Sequence, residues 1–440
     1  MDSHCLEVRT LASQRAGSDV LRGVCCSSHS THLEVFSLNN LLVAIVLRMA
    51  LAFTIASAKQ NTALRLGAVT NAPPQACTVQ PGGDRSVHMV ALGVAAWPDE
   101  RAATWGALCC GIALSNQHTS VLTVIPVAVW TVVQLYLTRR AALNYFVGGG
   151  SLATCTKCVL RSLLPGVLAF ALGLLPYAYL VWSDTFHRQG GSWGDSSTFL
   201  GLARHLLRAD YGTFRLHASN NAPSQRWWER TTWYLDDLVR TQSVLGYATL
   251  VLGGVGIFSM VGRKAQHSEG SARFGWLLVA CWVFYLGVFH GLANMPLDDD
   301  VLYLVHARFW QQPSIFVWLL AGIGIARCLA VSEGLLAGLT SATHSARRGQ
   351  HAGRGRLGRA RAFLRGALCT LALAVALAQC QSKWLLCDAS QRHGVEMWGR
   401  GVLASVSKRA ILLSSDDLTW GSVGYGLHGN MWVCSRIALM

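Results

Sequence analysis

Residues 104–138 read TWGALCCGIALSNQHTSVLTVIPVAVWTVVQLYLT, an apolar run interrupted by a polar tetrad at 116–119, Asn-Gln-His-Thr. A single helix of roughly 35 residues at 1.5 Å each would be longer than the hydrocarbon core of a bilayer. We therefore predict two short helices that meet at the tetrad and form a hairpin in the membrane. Broken helices are tolerated there when they line a cavity or lie inside protein, so the tetrad is a candidate functional site. Hydrogen bonding between helices, without chemistry, is the alternative.

The composition of the whole chain is that of a multi-pass membrane protein. Of the 440 residues, 52% are hydrophobic and 13% are charged, about half the charged fraction usual in soluble domains. Further apolar runs approach or reach the roughly 20 residues that cross a bilayer. They lie at 37–57, 160–182, 244–261, 274–293, 314–332 and 362–380. We predict an α-helical multi-pass membrane protein of about seven spans, within a range of about six to eight.

The net charge of +15 is concentrated in three segments that contain almost no carboxylates. These are the loops with Arg139, Arg140, Lys157 and Arg161, with Arg263, Lys264 and Arg273, and with Arg347, Arg348, Arg354, Arg356, Arg359 and Arg361. Such clustering follows the positive-inside rule, which places these loops in the cytosol and 183–243, 294–313 and 381–440 on the opposite, luminal or external side. The pattern argues against nucleic acid as a partner and for contact with anionic membrane lipid.

The remaining segments complete the predicted organisation. The polar residues 1–32 are expected to be disordered. A second disordered segment, with Pro and Gly that break any pattern, is expected as an insertion at 58–103, and the side of the membrane on which it lies stays open. The membrane domain is predicted over 33–380, with a mobile basic cytosolic loop at 341–361.

The last segment, residues 381–440, is predicted to be an incomplete C-terminal luminal region. Ala410 to Leu413 is a short apolar run that leads into the polar sequence Ser-Ser-Asp-Asp, which is typical of a strand that ends in a loop. A further element is expected to begin within 421–427. We interpret this region as the start of a small α/β fold.

A cationic amphipathic helix is predicted within Trp193–Phe214, directly after an apolar span. The side chains of Asp195–Thr198 supply capping oxygens for its start, and Gly212 is placed to end it. Apolar residues recur at helical spacing, while Arg204 and Arg208 lie four apart on another face. Such a helix lies in the headgroup plane of the membrane, where its arginines can bind phosphate. In the alternative, the arginines only extend their charged groups toward water.

Metal signals are weak in this sequence. Cys155 and Cys158 form a lone CxxC pair, without a second pair or a nearby His. The three aspartates at 298–300 are more typical of a solvated loop than of a cation site. No metal is therefore predicted. Arg308, in contrast, lies beside the luminal end of the 314–332 span, where a guanidinium can bind phosphate through two parallel hydrogen bonds.

A series of short motifs follows one another along the chain. They are Glu34-Val-Phe-Ser-Leu-Asn-Asn-Leu-Leu42, Gly106-Ala-Leu-Cys-Cys-Gly-Ile-Ala-Leu-Ser-Asn-Gln-His-Thr119, Leu172-Gly-Leu-Leu-Pro-Tyr177, Trp193-Gly-Asp195, Tyr211-Gly-Thr-Phe214, Arg308-Phe-Trp310, Ala321-Gly-Ile-Gly-Ile325, and Ser415-Asp-Asp-Leu418 with Ser422-Val-Gly-Tyr425. In this order they resemble the transmembrane protein 260 family, protein O-mannosyltransferases of the GT-C type in the endoplasmic reticulum. The resemblance covers residues 33–57 and 104–433, and the shared order makes it specific.

The resemblance implies a GT-C-like helical core in the endoplasmic reticulum membrane. It implies transfer of mannose from a lipid-phosphate donor, such as dolichyl-phosphate mannose, to Ser or Thr of a luminal acceptor protein, which in the family is an IPT domain of a receptor. No cofactor beyond the donor is implied. An inverting transfer needs a carboxylate base for the acceptor hydroxyl and cations or hydrogen-bond donors for the leaving phosphate. The candidate phosphate-binding residues are Arg308, His118 and Arg204, and the candidate sugar-binding residues are Asn116, Gln117 and Trp193.

The sequence departs from the family at the catalytic carboxylate. Members carry it in a Gly-Gly-Asp-Ser-Gly-Glu motif ahead of the Ser-Leu-Asn-Asn segment, whereas Gly82-Gly-Asp84 here follows that segment and lacks the Ser-Gly-Glu. Ala307 also stands where members often carry a carboxylate. Asp195 is a substitute candidate for the base, with helix capping as its alternative role. We expect an N-terminally truncated mannosyltransferase whose activity as this fragment stays open, and a non-catalytic membrane scaffold or transporter of the secretory pathway is the alternative.

Overall fold

The computed structural model describes residues 38–62, 98–147, 152–186, 196–207, 225–242, 244–261, 269–293, 295–298 and 300–344. Beyond these it describes isolated positions between 363 and 381, and residues 394–405, 412–414 and 433–435. The chain divides into two units, one of Val35–Leu336 and the other of Met1–Glu34 with Ala337–Met440.

The described part of the first unit is helical. In chain order its helices are α1 (Leu38–Thr62), α2 (Pro98–Asn116), α3 (Val121–Val147), α4 (Leu152–Gly173), α5 (Pro176–Phe186), α6 (Phe199–Leu206), α7 (Trp227–Gln242), α8 (Val244–Val261), α9 (Glu269–Leu292), α10 (Asp300–Ala307) and α11 (Gln311–His344). The 3-10 turn His118–Ser120 joins α2 to α3, and the 3-10 turn Arg308–Trp310 joins α10 to α11.

Within the described residues, five helical stretches are long and apolar enough to cross a membrane. They are Leu38–Thr62, His118–Asn144, Leu152–Phe186, Ala272–Leu292 and Val305–Leu335. The predicted count of seven is therefore not confirmed. The run at 104–137 still supplies one candidate span, from its second half, whereas the helix at 244–261 qualifies only over Gly246–Met260, which is short for a bilayer. Of the run at 362–380 only isolated positions are described.

The predicted helix break at the polar tetrad is confirmed. Helix α2 ends at Asn116, and α3 begins at Val121 after one 3-10 turn. The two helices have 19 and 27 residues, so they are longer than the short helices that we expected. The break places polar side chains at one end of a helix pair.

A second break, which the sequence analysis did not predict, divides the run at 160–182. Proline has no backbone N–H and restricts the residue before it, so α4 ends at Gly173 and α5 begins at Pro176. Leu174 and Leu175 bridge the two helices, and their N–H groups each donate to a carbonyl three residues earlier, at 3.1 Å.

The first predicted basic loop is mostly helical. Arg139 and Arg140 lie in α3, and Lys157 and Arg161 lie in α4. Arg139 is 5% exposed, and its Nη2 donates to Glu100 Oε1 at 2.6 Å. Ser162 Oγ donates to the same oxygen at 2.6 Å. The prediction of a loop was wrong here, because one of its cations makes an internal ion pair that joins α2, α3 and α4.

Helices α2 and α4 pack with their backbones in contact at two glycines. A Cβ on either Gly111 or Gly173 would overlap a backbone carbonyl of the facing helix. Gly256 and Gly324 make the same kind of contact between α8 and α11. Small residues allow membrane helices to approach this closely, and the close packing then stabilises the pair.

The apolar core of the first unit lies between α1, α3, α9 and α11. Its most buried side chains, each at most 2% exposed, are Val43, Val46, Leu47, Leu277, Leu278, Cys281, Tyr285, Phe316 and Leu320. In a bilayer such a core is stabilised by close packing rather than by removal from water. These helices therefore form the scaffold that holds the polar ends described below.

The second unit contains a helix and a pair of strands among its described residues. The helix is α12 (Gly394–Ser405), and the strands are β1 (Leu412–Ser414) and β2 (Val433–Ser435). The strands pair in parallel, with Leu412 opposite Val433. The strand expected at 410–413 is thus present, shifted toward the C-terminus, whereas β2 was not predicted. The element expected within 421–427 lies outside the described residues.

Two predicted segment boundaries differ from the helices. Because α1 continues to Thr62 and α2 begins at Pro98, both ends of the predicted insertion at 58–103 are helical. The predicted loop at 183–243 contains the end of α5 and the whole of α6 and α7. Its amphipathic pattern correctly indicated α6. Residues 1–32 and most of 341–361 lie outside the described residues.

Candidate functional site

The polar tetrad forms the turn between α2 and α3. Gln117 is extended, with φ −150° and ψ 124°, and its N–H donates to Ala113 O at 2.9 Å. The N–H of Ser120 donates to Gln117 O at 3.0 Å, which closes the 3-10 turn. Across this turn His118 is exposed and Ser120 is fully buried. The turn therefore presents one polar side chain outward and another into the protein.

The exposed His118 is held from the side by α5. Its ring stacks on Tyr177, with centroids 6.3 Å apart and planes at 16°. The Tyr177 hydroxyl donates to Leu114 O in α2 at 2.7 Å. Since Tyr177 follows the break at Pro176, the two helix breaks lie side by side and fix each other.

The first turn of α1 supplies two amides to the tetrad end of the unit. Asn39 is 1% exposed, and its Oδ1 accepts a hydrogen bond from Ser120 Oγ. Asn40 Nδ2 donates to Gln311 Oε1 in α11 at 3.0 Å. These two neighbours therefore connect α1 to both the tetrad turn and the start of α11.

The start of α11 completes the same cluster. Gln312 Nε2 donates to Thr123 Oγ1 in α3 at 2.8 Å. The Tyr285 hydroxyl of α9 donates to Phe309 O at 2.9 Å, and the side chain of Thr119 lies beside that hydroxyl. One tyrosine thus lies between the tetrad and the turn that carries Arg308.

We call this cluster the polar junction, and it consists of Asn39, Asn40, Thr119, Ser120, Gln311 and Gln312. Three amide oxygens at or beside it are buried and have no hydrogen-bond partner among the described residues. They are Asn40 Oδ1, Gln117 Oε1 and Gln312 Oε1. An amide oxygen accepts hydrogen bonds, so the junction retains capacity for a ligand rich in hydroxyl groups.

Arg308 borders the junction from the other side. It is 9% exposed and lies in the 3-10 turn between α10 and α11, next to Phe309. Since the Phe309 carbonyl is bound by Tyr285, the backbone of this turn is fixed beside the tetrad. The structure therefore brings the Arg308 turn close to a turn that contains Gln117 and His118, residues that lie far apart in sequence.

Sequence reasoning missed the amides of the polar junction, although a signal was present. The two pairs are Asn39-Asn40, in the first turn of one span, and Gln311-Gln312, at the first residues of α11. Adjacent amides at the ends of apolar helices are costly unless they are hydrogen-bonded. Such pairs were a reason to expect that the two helix starts meet.

Arg204 lies on a separate helix. Thr198 caps α6, and its Oγ1 accepts from the Gly201 N–H at 3.0 Å. The helix ends at Leu206, so the expected stop at Gly212 was wrong. Arg204 is exposed, and no hydrogen bond or ion pair joins it to the polar junction within the described residues. The predicted sites at Trp193 and Asp195, and Arg208, lie outside those residues.

Asp184 is a carboxylate that the sequence analysis did not select. It lies near the end of α5, is 8% exposed, and accepts a hydrogen bond from the backbone N–H of Ser196. Ser196 directly follows Asp195 in sequence. Asp184 therefore fixes the chain next to the predicted substitute base, and the signal for it was a lone acid near the end of an apolar helix.

An apolar cavity of about 380 Å³ lies between α1, α2, α3 and α4. It is half open to the surroundings, and its lining includes Phe53, Cys110, Val127, Leu135, Gly166 and Phe170. The cavity lies along helices that include three of the five candidate spans. Its walls would suit the hydrocarbon chain of a lipid, since they offer packing and almost no polar groups.

No group of three or more metal-ligating side chains occurs within the described residues. Cys155 and Cys158 both lie in α4 with free thiols, and Cys155 Sγ approaches the Tyr136 carbonyl at 3.9 Å. The arrangement at the polar junction is instead one of amides, hydroxyls and a nearby guanidinium. Such groups bind by hydrogen bonding and charge.

Comparisons with known proteins give two named relatives. The chain is 27% identical over 292 residues to the protein O-mannosyl-transferase tmem260 of Dictyostelium discoideum, which covers 66% of this chain and 30% of that protein. It is 26% identical over 425 residues to the protein O-mannosyl-transferase TMEM260 of Mus musculus, which covers 95% of this chain and 48% of that protein. The chain therefore spans half or less of the length of these relatives. No family model and no solved structure matches it.

Proposed function

These two matches support membership of the transmembrane protein 260 family, and from this premise we propose that the chain is a protein O-mannosyltransferase-like membrane protein. In this proposal it lies in the endoplasmic reticulum membrane with a GT-C-like helical core. The donor is a lipid-phosphate sugar such as dolichyl-phosphate mannose, and the acceptor is Ser or Thr of a luminal protein. The polar junction then faces the lumen.

The observation that carries the proposal is the set of unpartnered amide oxygens beside a buried arginine. Asn40 Oδ1, Gln117 Oε1 and Gln312 Oε1 are acceptors without a hydrogen-bond partner among the described residues. Sugar hydroxyls are donors that satisfy such oxygens. A guanidinium next to them matches the phosphate that leaves when the mannosyl group is transferred. Neither an apolar ligand nor a bare cation would need both features.

Each candidate residue has a role in this proposal. Arg308 and His118 bind the donor phosphate, and Tyr285 connects the Arg308 turn to the tetrad through its hydrogen bond to Phe309 O. Asn116 and Gln117 bind sugar hydroxyls, together with Trp193. Arg204 contributes a longer-range attraction for the phosphate from the headgroup plane.

The apolar cavity accommodates the hydrocarbon chain of the donor. Its volume of about 380 Å³ lies between α1, α2, α3 and α4, and its lining is almost entirely apolar. A lipid chain can enter there without leaving an apolar environment. The head of the same lipid would then lie at the tetrad end of α2 and α3.

Asp195 is the substitute candidate for the catalytic base in this proposal. The Gly-Gly-Asp-Ser-Gly-Glu motif that carries the base in the family does not occur within residues 1–440. Asp184 would position that residue, because it binds the N–H of Ser196. A carboxylate in this place would take the proton of the acceptor hydroxyl as the mannosyl group is transferred.

Donor binding tests the proposal independently of catalysis. The protein purified in detergent is titrated with a short-chain isoprenyl-phosphate mannose, and the dissociation constant is measured. Arg308→Gln should weaken binding about tenfold, since one charge-assisted pair is lost. Arg327→Gln is the matched control, because this arginine is exposed in α11 away from the junction. Failure of the wild-type chain to bind the donor, or equal loss in both variants, would remove the proposal.

Transfer is then measured in membranes that contain the protein, the lipid donor and an IPT-type acceptor domain. Mannose incorporated into the acceptor should fall with Arg308→Ala and with Asp195→Ala, and should be unchanged by Arg327→Gln. A chain that binds the donor without any transfer would be a non-catalytic relative.

A further inference from the structure

A buried arginine in α7 retains guanidinium N–H donors that are not used in the described structure. Arg230 is 0% exposed, and its Nε donates to Gln225 O at 3.4 Å. Its Nη1 and Nη2 have no hydrogen-bond partner among the described residues. Burial lowers the pKa of Arg230, while the exposed carboxylate of Asp298 partly opposes this change. A buried guanidinium with four unsatisfied N–H donors is costly, so a matching acceptor is expected in its place.

A buried histidine lies within electrostatic range of this arginine. His306 in α10 is 0% exposed, and neither of its ring nitrogens has a hydrogen-bond partner in the described part of the chain. Its ring stacks on His290 at 5.8 Å and lies edge-on to Trp310 at 5.2 Å. The aromatic neighbours hold the ring but leave its nitrogens unsatisfied.

The neighbouring His290 is already saturated. The indole N–H of Trp310 donates to His290 Nε2 at 2.9 Å, so this nitrogen is an acceptor without a proton. The proton then lies on Nδ1, which is 3.1 Å from Thr231 Oγ1. Since the Thr231 hydroxyl donates to Trp227 O at 2.9 Å, its oxygen is available to accept from Nδ1. His290 is therefore neutral, and both of its nitrogens are in use.

This leaves Arg230 and His306 as two shielded side chains whose N–H groups need an acceptor, while the second ring nitrogen of a neutral His306 can accept from a protonated phosphate oxygen. The guanidinium fork matches two oxygens of one oxyanion, and His306 adds a donor from a different helix. Three or more donors suit a group with more than two oxygens. In a site shielded from water, the attraction between a guanidinium and an oxyanion is also much stronger than at the surface.

We propose that Arg230 and His306 form an anion site that binds a phosphate group. It is separate from the proposed mannosyl transfer, because no residue of the polar junction takes part in it. The ligand is either free phosphate or the phosphate of a lipid, since the site lies where α9 ends and α11 begins, at the ends of two candidate spans. Trp310 closes it on one side through its contacts with both histidines.

The test measures phosphate binding by calorimetry with the full chain in detergent. The probes are inorganic phosphate and a short-chain isoprenyl phosphate without a sugar. Arg230→Met should weaken binding at least about tenfold, and His306→Phe by a smaller factor, because each removes donors to the oxyanion. Arg226→Met is the matched control: it removes the same charge one turn away, from an exposed side chain that lies over Trp228. This control should bind as the wild type does.

The two probes separate the sources of the ligand. Binding of both indicates a site for phosphate itself, and binding of the isoprenyl phosphate alone indicates a lipid headgroup. If Arg230→Met does not fold, His306→Phe and phosphate-dependent thermal stabilisation of the wild type carry the test. Absence of binding to either probe, or binding that neither substitution changes, overturns the site and assigns Arg230 to a carboxylate of the chain. Isoprenyl phosphate is also the leaving group of the proposed transfer, so the variants assign the site. Binding that Arg308→Gln weakens and Arg230→Met leaves unchanged would remove this site and keep the proposed function.

Discussion

The two ends of the helix group α1 to α4 differ in how their buried polar groups are satisfied. At one end, Glu100 Oε1 accepts hydrogen bonds from both Arg139 and Ser162, and the charges neutralise each other. At the other end, the polar junction is built from neutral amides and hydroxyls, and acceptors such as Gln312 Oε1 have no partner among the described residues. The first end is closed around its ion pair, although Asn61 Oδ1, beside Thr138, also has no hydrogen-bond partner among the described residues. The second end holds more such acceptors, and this hydrogen-bonding capacity is what a binding site requires.

Breaking the closed end should have the largest effect on stability. Arg139→Met leaves the carboxylate of Glu100 largely buried without its cation, which costs about 3 kcal/mol of unfolding free energy. Thermal unfolding in detergent measures this, and donor affinity should not change. Arg140→Met, at the exposed neighbouring position, is the control. The double variant Arg139→Met/Glu100→Gln should recover most of the loss, and a persistent loss would contradict the assignment of an ion pair.

At the open end, the effect on binding should exceed the effect on stability. Gln312→Leu removes both the hydrogen bond to Thr123 and the unpartnered Oε1, so it should cost about 1 kcal/mol of stability. Affinity for isoprenyl-phosphate mannose should fall about tenfold. Thr123→Val removes only the internal hydrogen bond and should leave the affinity within about twofold. Equal affinities of the two variants would show that Gln312 Oε1 does not meet the ligand.

The smallest effect is expected at α6. Arg204→Gln removes an exposed cation, so donor affinity should fall only about twofold at low salt, and the difference should vanish as salt screens the charge. Calorimetry at two ionic strengths measures this. A tenfold loss that persists at high salt would place Arg204 in direct contact with phosphate and extend the binding site to α6.

Much of the helical architecture follows from the sequence, because membrane spans are marked by length and apolar composition. The break at the tetrad was predictable for the same reason, since four consecutive polar residues interrupt an apolar run. The break before Pro176 was equally visible in principle, because proline cannot donate the hydrogen bond that would continue α4. The count of seven is not confirmed, because the helix at 244–261 qualifies only over a stretch that is short for a bilayer and most of 362–380 lies outside the described residues.

The clusters could not be predicted, because they depend on which helix ends meet. Asn39 and Gln312 lie far apart in sequence, and only packing brings them to the tetrad. Arg230 stands among tryptophans and other charges in the sequence, a pattern typical of a membrane interface, yet it is fully buried. Trp227 and Trp228 of the same helix are 54% and 45% exposed, as that pattern predicts. One helix face thus fits the pattern of an interface, and the other carries the buried cation.

The glycine contact between α2 and α4 fixes the position of the tetrad along and around α2. Gly111 and Gly173 limit how far α2 can slide and turn against α4, and the hydrogen bond from the Tyr177 hydroxyl to Leu114 O depends on that position. One residue inserted between Gly111 and Asn116 would rotate everything after it by about 100° around the axis of α2. His118 would then leave Tyr177, and Ser120 would leave Asn39. The number of residues in this short segment is therefore as constrained as their chemistry, and length variation should be confined to other parts of the chain.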